Sequence, residues 1–299
     1  MSNLVLYQNG SKSLDPKKKA YYDPWANHIW LCIEQVRRWN PDLPIYMITD
    51  TDDVSGKENF SKYGVVVERI SELPYKHDLS GSDYFKGDIN PIAREGCIRT
   101  FYIESVMRKH GLRDTITFDN DILVFCDLSK VARVASQFYQ NVAVTPLSDM
   151  EKVLGMVYVK DADAMERVND RVWNLMNNDV GRYLLEMRLW GVIGDQPNSP
   201  IENLPIWPDG KFSDHHKEFG GIFDPASIGQ HLGGCDNGNP KGVIFRNHYI
   251  HNRLMERRWG FVHSVDGGRK YISVYDTSIG EITKVMSLHI HNKRLGEFM

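Results

Sequence analysis

The first half of the chain alternates short apolar runs with amphipathic stretches, and few folds accept that rhythm. Leu4-Val5-Leu6-Tyr7, closed by Asn9-Gly10, suits a buried strand. Trp25, Ile29, Cys32, Ile33 and Val36 then recur at helical spacing, with Pro24 suited to the first turn and Asp23 as a cap. Asn40-Pro41 ends that helix. Ile45-Tyr46-Met47-Ile48 and Val65-Val66-Val67 read as the next strands. A helix is expected from about Ile92 to His110, with Ile98, Phe101, Tyr102 and Val106 on one face and Gly111 at its C-cap. Thr115-Ile116-Thr117-Phe118 is the following strand, and it runs straight into Asp119. This βαβ rhythm predicts a parallel sheet covered by helices.

The second half is less regular. Val142-Ala143-Val144 and Met156-Val157-Tyr158-Val159 read as strands, and helical stretches are expected near 163–177 and 180–190. Residues 71–90 and 191–222 are rich in Gly, Asp and other polar residues and read as loops. Loops of that length in a compact domain tend to be functional or disordered. Val285 to His291 returns to a strand pattern. There is no internal repeat and no low-complexity tract.

Bulk properties exclude several classes. Of 299 residues, 41% are hydrophobic and 25% charged, which is globular composition without a disorder signature. A net charge of -3 argues against a nucleic-acid partner, and Lys17-Lys18-Lys19 is the densest basic run. Cys32, Cys97, Cys126 and Cys235 have no zinc spacing and suit a reducing compartment. No secretion signal and no apolar run of roughly 18 residues is visible, so a cytoplasmic protein without a transmembrane segment is expected.

The chemistry concentrates at one strand end. Asp-x-Asp occurs three times, as Asp50-Thr51-Asp52, Asp119-Asn120-Asp121 and Asp161-Ala162-Asp163. Asp161 and Asp163 open a predicted helix, where acidic residues favour the helix dipole. Asp50 and Asp52 lead into a polar turn. Only Asp119 and Asp121 lie between two apolar runs, where charge is costly unless paired or metal-bound. Carboxylates beyond the carboxyl end of a parallel strand are well placed for ligands. Two of them, one residue apart, can approach one Mn²⁺ or Mg²⁺ ion.

Leu288-His289-Ile290-His291-Asn292-Lys293 is the second informative segment. Strand alternation puts His289 and His291 on one face, and imidazole suits Mn²⁺. Lys293 just beyond could meet phosphate as a point charge. His289 is slightly favoured as ligand, because an apolar run leads directly to it, but His291 stays in play. His28, His77 and His231 read as structural, and His215-His216 as a poor chelate.

The stretch from Arg99-Thr100-Phe101 through Thr117-Phe118-Asp119-Asn120-Asp121-Ile122-Leu123-Val124-Phe125 resembles the DXD region of GT-A glycosyltransferases. The resemblance implies an α/β fold of GT-A type: a Rossmann-like nucleotide-binding half with a mixed central sheet, fused to an acceptor-binding half. It implies Mn²⁺ (or Mg²⁺) as cofactor, a nucleotide-sugar donor, more often UDP than GDP, and a glycan, glycoconjugate or other hydroxyl acceptor. Asp119 would touch ribose or metal, and Asp121 would coordinate the metal. Arg94 or Arg99 would help hold the sugar or diphosphate, and Asn120 lies within the same motif. The His-x-His-Asn-Lys segment is similar to the family's C-terminal histidine and lysine. Tyr7 ends the first strand, where the family reads the base; it could stack on uracil or belong to the core. Gly155 to Lys160 resembles the strand under the donor sugar.

For the acceptor side, Asp224 in the glycine-flanked segment Gly220 to Gly234 could serve as general base or cap a short helix. Gly194-Asp195-Gln196 resembles the Asp-Gln element of some retaining members, which makes Asp195 the second candidate. Trp190, Trp207 and Trp259 could line an acceptor groove or pack in the core. One domain over 1–299 is expected, with a donor half to about 127, an acceptor half from about 128, and the last strand returning to the metal site. Two other readings are a carbohydrate-binding protein of the same fold and a sugar-nucleotide pyrophosphorylase. The latter would carry a glycine-rich, arginine-containing phosphate loop, for which Gly10-Ser11-Lys12-Ser13 is too sparse.

Overall fold

Two sheets share the chain, and the acidic motif lies where they meet. The computed structural model describes residues 2–8, 27–49, 58–74, 76–78, 91–177, 184–235, 246–292 and 294–299. The larger sheet begins as expected with β1 (Asn3–Gln8), β2 (Ile45–Thr49), β3 (Val65–Arg69) and β4 (Arg113–Thr117), all parallel, in the order β3-β2-β1-β4. β7 (Lys152–Asp161) then pairs antiparallel to β4, followed by β6 (Val142–Pro146) and β8 (Ile201–Asn203). The sheet is therefore mixed: the parallel pattern stops at β4, because β6 and β7 form a hairpin whose second arm docks on β4.

Helices cover it for a legible reason. α1 (Asn27–Trp39) buries Ile29, Cys32, Ile33 and Val36 completely, the predicted stripe. Arg37 in its last turn donates to the carbonyls of Tyr63 and Leu43, at 2.7 and 2.5 Å, and so ties α1 to the loops around β2 and β3. A short helix α2 (Glu58–Lys62) precedes β3. α3 (Pro91–His110) ends at Gly111, which adopts φ 61° and so favours glycine. α4 (Leu128–Phe138) is capped by Asp127, whose side chain accepts from the Ser129 and Lys130 amides. That helix is absent from the sequence reading, although Val131, Ala132 and Ala135 are buried at helical spacing. α5 (Ala162–Met176) starts at Asp161, which accepts from the Ala164 amide, so this acidic pair caps a helix.

The expected helix near 180–190 is instead α6 (Glu186–Gly194). The predicted 191–222 connection contains the end of α6, then β8 and α7 (His216–Phe219). These elements are too short for periodicity to reveal. β9 (Ile222–Phe223), α8 (Ser227–Gly233) and α9 (Tyr249–Leu254) follow.

The second sheet runs β10 (Trp259–Asp266), β11 (Arg269–Asp276), β12 (Glu281–His289) and β5 (Ile122–Val124), with β9 also on β12. The β10–β11 hairpin is not in the sequence reading; its signal is Asp266-Gly267-Gly268, with both glycines at positive φ. β12 pairs antiparallel with β5, setting His289 opposite Ile122. Strands from the middle and the end of the chain thus flank Asp119–Asp121. Asp50 and Asp52, Asn9-Gly10, Pro24 and Lys17-Lys18-Lys19 lie outside the described residues.

Candidate metal centre and cleft

β4 delivers the chain to Asp119, and β5 carries it away from Asp121. The turn between them is held by the Ile122 amide donating to the Asp119 carbonyl at 3.2 Å. Across the β5–β12 seam, the Ile290 amide donates to the Asp121 carbonyl at 2.8 Å. That bond fixes His289 beside the turn. Its Nε2 lies 3.1 Å from Asp121 Oδ1 and 3.9 Å from Asp119 Oδ2. One ligand atom from each of Asp119, Asp121 and His289 falls within 4.8 Å of the other two. Two carboxylate oxygens and one imidazole nitrogen suit Mn²⁺ well and Mg²⁺ acceptably. Asp121 and His289 are each 4% exposed, so a divalent cation would supply the charge balance that burial demands.

The other oxygen of Asp119 is taken. Arg99 on α3 pairs with Asp119 Oδ1 and, at 3.2 Å, with Glu186 Oε1 on α6. Burial works against the Arg99 charge, but the two carboxylates more than offset it and hold its pKa above the usual value. Glu186 is pushed up to about 6 by burial, with Arg99 opposing the rise. Gly96 makes room for this chain, since a Cβ there would lie 2.7 Å from Glu186 Cδ. No sequence signal singles out Glu186.

Asn120 faces the other way. Its Nδ2 donates to the Tyr7 carbonyl at 2.8 Å and to Gln8 Oε1 at 2.6 Å, stitching the motif to the end of β1. Tyr7 donates its hydroxyl to Glu95 at 2.6 Å, and its ring stacks on Tyr102 with centroids 6.0 Å apart. One face of Tyr7 is therefore already covered by another ring.

Of the two sequence readings of Asp224, general base or cap of a short helix, its contacts are those of the second. It is fully buried, and its oxygens accept from the amides of Ile228 and Gly229, each at 2.8 Å, and of His289 at 3.1 Å. Burial pushes it up to about 6, against the pull of those backbone donors. It anchors α8 and the His289 backbone, and it does not line the cleft. Asp195 follows the last turn of α6, exposed and outside the cleft lining. His291 lies just beyond β12 and lines the cleft, its ring 5.7 Å from that of His289, but it is outside the three-ligand group. Lys293 and the side chain of Arg94 lie outside the described residues. Trp190 and Trp207 are buried core, and Trp259 packs edge-on against Trp207.

The triad sits in a cleft of about 650 Å³. Besides the triad it is lined by Tyr7, Gln8, His28 and Asn120 and by Glu151, Gln230, Asn247 and His248, with Asn247 donating to Glu151 at 3.2 Å. His248 is 4% exposed and pairs with Ser227 Oγ at 3.1 Å; burial drops its pKa to about 4, so it is neutral at pH 7. Gly155 on β7 lies under His289, where a Cβ would sit 3.5 Å from the ring Nδ1. Glu151, Asn247 and His248 stand in no motif, and Gln230, within the glycine-flanked segment of Asp224, carries no signal of its own. No helix among the described residues is long and apolar enough to cross a membrane.

No protein-family model matches the chain, and no curated protein matches it in sequence. Among solved structures it is similar to the glycosyltransferase GlyE of Streptococcus pneumoniae TIGR4 (12% identity, TM-score 0.44), the two chains being covered to 77% and 47%. The chain thus spans about half the length of GlyE. It is similar to mouse xyloside xylosyltransferase 1 in its apo form (10% identity, TM-score 0.45), with 73% and 93% covered. It is also similar to a cytidylyltransferase from Leptospira borgpetersenii (8% identity, TM-score 0.40), with 71% and 77% covered.

Proposed function

We propose that this protein is a metal-dependent glycosyltransferase that moves a sugar from a nucleotide-sugar, UDP-linked, to a hydroxyl of a glycan or glycoconjugate. The observation that carries the reading is the group of half-buried Asp119 with buried Asp121 and His289, beyond the carboxyl end of β4, lining a cleft large enough for such a donor. A divalent cation there would act as a Lewis acid toward the departing diphosphate.

The protein's own groups divide the remaining work. Asp121 and His289 present one ligand atom each from a rigid two-strand seam. Arg99 occupies one oxygen of Asp119 and leaves the other to face the cation. Asn120 ties that turn to the end of β1, next to Tyr7 and Gln8, where the nucleotide would lie. Asp224 holds the His289 backbone in place. Glu151, Asn247 and His248, which line the same cleft, are the groups left for the acceptor. Residues to about 127 then form the donor half and those from about 128 the acceptor half, with β12 returning to complete the metal site.

The test is turnover. Incubation with a panel of UDP- and GDP-sugars and Mn²⁺ should release the nucleoside diphosphate from at least one UDP-sugar, faster with acceptor glycan present. Saturable donor binding with no release would identify a binding protein instead. Formation of nucleoside triphosphate from pyrophosphate and a nucleotide-sugar would identify a nucleotidyltransferase.

A further inference from the structure

A second cavity lies at the other end of α1. His28, in the first turn of that helix, lines the cleft, and Trp39 is its last residue. Eleven helical steps separate them by about 16 Å. The cavity beside Trp39 measures about 340 Å³ and is lined by Gln35, Arg38, Trp39, Arg269 and Lys270, together with Met299.

Its floor is an aromatic ring loaded with cations. Trp39 is 8% exposed. The Arg269 guanidinium carbon lies 4.1 Å from its ring centroid and Lys284 Nζ lies 4.3 Å from it. Lys284 Nζ is also 4.3 Å from the Tyr271 centroid. Cation–π attraction holds both charges in place, with less ordering left for a ligand to impose. Gln35, 3% exposed, is fixed by donating to the Val124 carbonyl at 3.2 Å.

The charge here is not balanced. Arg38 pairs with Glu34 at 2.6 Å. Asp266 stands opposite Arg269 across the β10–β11 hairpin. Yet among the described residues no carboxylate comes within 4.0 Å of Arg269, Lys270 or Lys284. Lys284 titrates below the usual lysine value, through burial first and the Arg269 and Lys130 charges besides, with Cys126 and Asp266 opposing. Like charges gathered on one ring repel, and an anion set among them relieves that repulsion. An arginine fork and a lysine point charge on the cavity wall, with the Lys284 charge held on the Trp39 ring outside the lining, suit the several oxygens of a phosphate group better than a single carboxylate.

We propose that this cavity is a second ligand site, separate from the cleft, that binds a phosphate group, either on a lipid headgroup or free in solution. The proposal does not rest on the glycosyltransferase reading.

The test uses the full chain in EDTA, which silences any metal-dependent binding in the cleft. Inorganic pyrophosphate is titrated by calorimetry, and sedimentation is measured with phosphatidylglycerol-containing vesicles against pure phosphatidylcholine. Two variants are compared: the triple Arg269→Ala, Lys270→Ala, Lys284→Ala, and the single Lys270→Glu. The single change replaces an exposed side chain and leaves the Trp39 stack intact, so it decides the matter if the triple variant does not fold. The expected result is binding of at least one probe by the parent, at least tenfold weaker in the triple variant and at least threefold weaker in Lys270→Glu. Pyrophosphate binding without vesicle binding supports a free phosphate; vesicle binding supports a headgroup. Binding of neither probe by the parent, or equal binding by parent and Lys270→Glu, overturns the proposal.

Discussion

His289 Nε2 lies 3.1 Å from Asp121 Oδ1, although Asp121 stands in the turn before β5, in the middle of the chain, and His289 ends β12, near the end of the chain. The antiparallel β5–β12 seam brings them together, with Asp224 holding the His289 amide. His291 sits beyond the last residue of β12 and lacks that support. His289→Ala should therefore lower Mn²⁺ affinity at least tenfold, while His291→Ala should change it less than threefold. Calorimetric titration of each variant with MnCl₂ checks the order; equal losses would contradict it.

Gly229 packs its Cα against the His289 carbonyl, and a Cβ there would run into that oxygen. Gly229→Ala should cost about 1–3 kcal/mol, the usual range for overpacking. It should also weaken Mn²⁺ binding, because the backbone that must yield is the one carrying His289. Urea denaturation and metal titration on the same sample measure both effects.

The first half of the chain was legible because its signals are local. The stripe of Ile29, Cys32, Ile33 and Val36, the Gly111 stop and the apolar runs around Asp119 each follow from a few adjacent residues. The rest depends on packing between distant segments. Glu186 matters because α6 sets it against Arg99, and nothing near it in sequence says so. Asp224 looked like a base because glycines flank it, but those glycines serve close backbone approach: Gly229 lets α8 meet β12. The strands β8 and β9 are too short for alternation to register.

Arg99 is the counter-charge for two half-buried carboxylates. Arg99→Ala should cost up to about 3 kcal/mol, the lower end of the range for breaking a buried pair, since it takes the guanidinium from Asp119 Oδ1 and Glu186, both half-buried. Saturating Mn²⁺ should raise the melting temperature of this variant more than that of the parent, because a bound cation replaces part of the lost charge. Thermal melts with and without MnCl₂ provide the comparison.

His248 gives a pH dependence of defined sign. Its folded pKa of about 4 lies below the unfolded value near 6.5, so between them the unfolded chain holds the extra proton. Its contribution is complete above about pH 6.5 and is lost progressively as pH falls toward 4, by up to about 3 kcal/mol. His248→Phe should flatten that part of the stability profile. Urea midpoints between pH 4 and 7 for parent and variant test it, and parallel profiles would contradict the assignment.

The most direct measurement of the central claim is calorimetric titration of UDP-sugars into the parent and Asp121→Ala, with and without Mn²⁺. The account predicts Mn²⁺-dependent donor binding by the parent and its loss, at least tenfold, in Asp121→Ala. Donor and metal binding by Asp121→Ala as tight as the parent's would contradict the account.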